Sequence, residues 1–84
     1  QNQTVKLPTA YASYGWVNVW SNVIDANVYV DNQWVGKTPC LLYDLPTNRK
    51  YTIEVRKEGY RSAQKRVKPL GNELITIEIN LKQK

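Results

Sequence analysis

Asn27-Val28-Tyr29-Val30-Asp31-Asn32-Gln33-Trp34-Val35 has the make-up of a β-hairpin. Val28 and Val30 fall on one side and Asn27 and Tyr29 on the other, the period-two signature of a half-buried strand. Asp31-Asn32 then reverses the chain into Gln33-Trp34-Val35, because Asx residues tolerate the positive φ that a two-residue hairpin turn demands. N-terminal to this hairpin, Trp16-Val17-Asn18-Val19-Trp20 alternates in the same way, with the valines opposite the tryptophans. Cys40 to Leu45 is an apolar run bounded by Gly36-Lys-Thr-Pro39 and Pro46-Thr-Asn48. In Tyr51 to Lys57, Tyr51, Ile53 and Val55 face inward. Tyr60 to Lys68 is polar and basic, with Ala63 and Val67 as its apolar side, the pattern of an edge strand defended by charge. Leu74 to Leu81 places Ile75, Ile77, Ile79 and Leu81 together. These segments predict six to seven short strands, no significant helix, and a small antiparallel β-sandwich.

Composition agrees with that class. The chain has 84 residues, enough for one core and not for two. Its apolar load is carried without Met or Phe, by residues that suit a pleated surface. Residues 1–14 contain Pro8 and no sustained periodicity, so they are expected to be a linker or N-terminal arm, with the domain spanning residues 15–84. No apolar run approaches the roughly 20 residues of a membrane-spanning helix.

The ordered pieces Gly15-x-Val17-x-Val19-x-Ser21, Ala26-x-Val28-Tyr-Val30-Asp31, Gly36-x-Thr38-Pro39, Tyr51-x-Ile53-x-Val55 and Lys57-x-Gly59-Tyr60 resemble the PEGA domain family. The resemblance covers about residues 15 to 81. It departs at Val23-Ile24-Asp25-Ala26, where only Ala26 fits the tetrapeptide that names the family, and at Asn32, where the family usually has Gly. Asn replaces Gly cheaply at positive φ, so the second departure is expected to leave the fold intact. What the resemblance implies is a compact antiparallel β fold and a non-catalytic module appended to surface proteins, lipoproteins or signalling proteins. The implied location is extracytoplasmic, in the cell envelope, at the periplasm or surface.

Chemistry-bearing residues are sparse. With no histidine and one cysteine, neither a Ser-His or Cys-His couple nor a structural zinc site can be assembled. Cys40 sits in an apolar run and reads as a small buried hydrophobe. The four glycines are scattered singly at turns, so no phosphate-cradling loop is present, and no cofactor is expected.

Two surfaces remain as candidates for binding. The first is aromatic: Trp16 and Trp20, about 13 Å apart by ordinary strand rise, together with Tyr29 and Trp34, rings able to stack on sugars or bases or to anchor a protein interface. The second is the basic run from Arg49 to Lys68, where Arg61, Lys65 and Arg66 are the candidates for attracting an anionic polymer and most of the net charge of +5 resides. The leading expectation is a non-catalytic envelope module contacting a protein or polysaccharide. Its rivals are a basic OB-like barrel binding nucleic acid, ranked lower because few aromatics interleave with the basic residues, and a structural spacer with no ligand.

Overall fold

The structure, a computed structural model, describes residues 13–84. Nine strands follow in order: β1 (Tyr14–Trp20), β2 (Asn27–Val30), β3 (Gln33–Lys37), β4 (Cys40–Pro46), β5 (Tyr51–Arg56), β6 (Tyr60–Arg61), β7 (Ala63–Val67), β8 (Leu74–Glu78) and β9 (Lys82–Gln83). They form a sheet of order β4-β1-β8, a sheet of order β3-β2-β5-β7, and a small pair β6-β9. The expected linker over 1–14 lies almost wholly outside the described residues. Its last residue, Tyr14, opens β1 opposite Pro46 of β4.

The two main sheets share one core. Val17, Val19 and Leu42 from the first meet Val28, Ile53, Val55 and Tyr51 from the second, with Ala26, Ile79 and Leu81 completing the cluster. β1 and β5 supply this cluster from alternate positions, as the period-two pattern requires.

The strand count exceeds the six to seven expected, and the pairing explains why. Tyr60 to Lys68, a continuous strand by pattern, divides at Ser62: Tyr60 and Arg61 pair with Gln83 and Lys82, whereas Ala63 to Val67 pair with Val55 to Tyr51. β9 adds the other strand, made from polar residues that carry no alternation. One neighbouring pair, β1 with β8, runs parallel, and every other pair is antiparallel. A parallel pair needs a crossover, and here the intervening chain lays down β2 and β3, adds β4 to the other side of β1, and then builds β5 and β7 before β8 returns to the first sheet.

The turns follow from their residues. Asp31 and Asn32 both have positive φ, 50° and 71°, so the β2–β3 hairpin closes on a type I′ turn. Gly59, at φ 87°, occupies the third position of a turn closed by the Tyr60 N–H donating to the Lys57 carbonyl at 3.0 Å, where positive φ favours glycine. Gly15 is required for a different reason: a Cβ there would lie 2.5 Å from the Leu70 carbonyl oxygen.

Candidate interaction surface

Register decides which side chains share a face. On β1, Val17 sits between Leu42 and Ile75, and Val19 between Cys40 and Ile77, so these point to the core. Trp16, Asn18 and Trp20 therefore project from the outer face of the first sheet. Opposite Trp16 the β1–β4 ladder carries a bulge, because Gly15 pairs with Leu45 and Val17 with Leu42, leaving Tyr43 and Asp44 unmatched. Asp44 takes φ 53°, a value Asp tolerates, and Tyr43 is 68% exposed. On the other side of Trp16 stands Leu74, 58% exposed.

The outer face of the first sheet thus reads as cross-strand rows. Tyr43, Trp16 and Leu74 form the apolar end; Leu41, Asn18 and Thr76 form the middle; Trp20 and Glu78 close it. Trp16 is half-buried between its neighbours, and Trp20 remains 46% exposed. Nothing among the described residues forms a further layer over this face.

Tyr29 and Trp34 lie elsewhere. They pair with each other across β2 and β3, and Tyr29 pairs on its other side with Glu54 of β5, opposite to the inward Val28 and Val30. They belong to the outer face of the second sheet, on the far side of the core from Trp16 and Trp20, so the single aromatic surface expected from strand alternation is two surfaces. Tyr29 is moreover engaged, since the Arg56 guanidinium lies 4.1 Å from its ring centroid and also donates to Glu54 Oε1 at 2.7 Å. Trp34 keeps 57% exposure, its indole N–H donating to Asn27 Oδ1 at 3.0 Å.

The basic run is likewise dispersed. Arg49 caps the Tyr51 ring and pairs with Asp31, and Lys57 donates to the Asp25 carbonyl. Asp31 also accepts the Thr52 N–H, and this bond, reinforced by Arg49, holds its carboxyl below the usual carboxylate range. Of the candidate anion-binding residues, Arg61 lies on β6, Arg66 points outward opposite Thr52, and Lys65 stands opposite Ile53 on the core side of β7 while remaining exposed. They do not converge. An inward-directed lysine on β7, the outermost strand of its sheet, matches the edge protection inferred from the sequence.

Cys40 is half-buried and desolvation pushes its thiol pKa up. No group of three or more His, Cys, Asp or Glu side chains that could hold a metal ion occurs among the described residues. No helix among them is long and apolar enough to cross a membrane. Two open sheets, rather than one closed five-stranded barrel, separate this architecture from the OB-like alternative.

Tyr43, Leu41 and Leu74 are the residues of the first face that sequence reasoning missed. Cys40 to Leu45 reads as an apolar run without a phase, so its outward members could not be separated from its inward ones. The available signal was Asp44 two residues before Pro46, a place where the alternation could slip.

These features define a small two-sheet β domain with an apolar outer face on one sheet and a polar, charge-paired face on the other. Residues 14–84 match the PEGA domain family, and the chain belongs to it. No curated protein matches the chain.

Proposed function

We propose that the chain is a non-catalytic docking module of an extracytoplasmic, cell-envelope protein, and that the outer face of the β4-β1-β8 sheet meets a protein partner. The observation that carries this reading is the row Tyr43, Trp16 and Leu74, with Leu41 in the next row and Trp20 at the far end of the face, which leaves large apolar side chains open to water. Contiguous exposed apolar surface on a small domain marks an interaction site. Leu41 and Leu74 extend the rings with aliphatic surface, which favours a protein over a polysaccharide, whose hydroxyls need polar partners on burial. The envelope location rests on family membership, and the non-catalytic role on the lack of histidine and the structural use of Asp31 and Glu54.

Site-specific photo-crosslinking in the native host tests the reading. A photoreactive residue replacing Tyr43 should give a discrete protein adduct, and one replacing Gln64, on the outer face of the other sheet, should not. Equal labelling from both positions would refute the assignment of the face. Retention of the protein on an envelope glycan that is lost with Tyr43→Ser would favour the polysaccharide instead.

A further inference from the structure

Each main sheet ends in two edge strands, and three of the four are blunted. β4 carries the Tyr43–Asp44 bulge and ends in Pro46, β3 has a register shift opposite Val28 and Tyr29, and β7 bears the inward Lys65 beside Arg66. β8 has no such device. Its five residues Leu74-Ile75-Thr76-Ile77-Glu78 contain no Pro, Gly or cation, and their register against β1 is unbroken. Unprotected edges of this kind recruit a further strand.

The direction of the free backbone groups is fixed by the bonds at either end of β8. Trp16 N–H donates to the Glu73 carbonyl at 3.0 Å, and Ile79 N–H donates to the Trp20 carbonyl at 2.8 Å. Residues 73 and 79 therefore turn their peptide groups toward β1, and strand alternation assigns those of Ile75 and Ile77 to the same side. The N–H and C=O of Leu74, Thr76 and Glu78 face outward, and no strand among the described residues pairs with them.

The geometry points to a second copy of this chain as the occupant, docked through β8 antiparallel to β8 about a twofold axis at Thr76. In that register Thr76 faces Thr76, Leu74 faces Glu78, and Ile75 faces Ile77. The residues with outward peptide groups become the hydrogen-bonded pairs, so every free donor and acceptor on both strands finds a partner. The half-buried Ile75 and Ile77 of the two copies meet on the core side, and Thr–Thr is a favourable cross-strand pair. No like charges stand opposite one another, since Glu78 meets Leu74 and Glu73 meets Ile79. The result is an isologous contact joining the first sheets in the order β4-β1-β8-β8-β1-β4. This inference is independent of the docking face proposed above, because it uses the edge of the sheet.

Sedimentation equilibrium of the full 84-residue chain tests it. The mass should double over the range from roughly 10 µM to 1 mM expected of a small interface. Thr76→Lys and Thr76→Glu, each placing like charges face to face on the axis, should be monomeric with unchanged circular dichroism, and an equimolar mixture of the two should recover the dimer. Hydrogen exchange on the unsubstituted protein gives a second readout: the amides of Leu74, Thr76 and Glu78 should gain protection with concentration. A monomer at roughly 1 mM, a dimer indifferent to both substitutions, or concentration-independent exchange at these amides would overturn the proposal.

Discussion

Among the described residues Thr38 is the one buried polar side chain, and its bonds explain the presence of a hydroxyl in that place. Its Oγ1 accepts the Ala26 N–H at 3.0 Å and donates to the Val23 carbonyl at 2.7 Å, while its own N–H donates to the Ala26 carbonyl. Replacing it with isosteric Val leaves the Ala26 N–H without its acceptor, and denaturant unfolding should show a loss of about 1–3 kcal/mol, most of it restored by Thr38→Ser. Asp31 works through charge as well as shape. Its folded carboxyl titrates below the ordinary value of about 3.9, so the unfolded chain binds the proton first as pH falls. The stabilisation is complete above the unfolded value and disappears as pH drops through the lower folded one. Asp31→Asn keeps the positive-φ tolerance and an acceptor for Thr52 but removes the charge, so its stability should vary less with pH across the acid window than that of the parent. A parallel pH dependence in both proteins would place the effect elsewhere. The turn role of Asp31 was legible in the sequence because it depends on local φ alone. Its clamp on Thr52 and Arg49, and the Thr38 bonds, were not, because they join segments separated by a dozen residues or more.

At the scale of the strand, alternation told which residues face the core wherever a strand alternated cleanly, as in β1, β2 and β5. It failed in two ways. Within β4 the bulge moves Tyr43 and Asp44 out of simple phase, and an apolar run gives no warning of that. Across strands, alternation says nothing about which sheet a strand joins, so Trp16, Trp20, Tyr29 and Trp34 looked like one surface although two sheets separate them. The same limit applies to Arg61, Lys65 and Arg66, close in sequence yet placed on β6 and on opposite faces of β7. Since they do not converge, their contribution to anion binding should be diffuse. Single Gln substitutions at each should lower the salt needed for elution from heparin by similar small steps, with thermal stability unchanged within about 0.5 kcal/mol. Loss of retention from one substitution alone would reveal a focused site.

Over the whole molecule, the C-terminal segment connects what the two main sheets leave open. After β8 the chain buries Ile79 and Leu81 in the shared core, and between them Asn80 Oδ1 accepts the Asn22 N–H at 3.0 Å. Asn22 in turn uses its amide like a strand neighbour, donating from Nδ2 to the Leu81 carbonyl at 2.9 Å and accepting the Leu81 N–H at 2.8 Å. Only then does β9 pair with β6, through the exposed residues Lys82 and Gln83. Burial thus ends at Leu81, and the stabilising weight of the segment should end there too. Removing residues 82–84 deletes exposed pairing and should cost no more than about 1 kcal/mol, whereas Leu81→Ala opens a cavity and should cost about 2–5 kcal/mol. For a domain of this size each kcal/mol lowers the melting temperature by roughly 4–8 °C, so thermal scans separate the two variants readily. Because Val17 and Val19 of one sheet and Ile53 and Val55 of the other belong to the same cluster, both variants should still melt in a single transition, with tryptophan fluorescence and far-ultraviolet circular dichroism coinciding. A truncation as damaging as Leu81→Ala would make β6-β9 part of the cooperative unit, and non-coincident transitions would mean that the two sheets unfold separately.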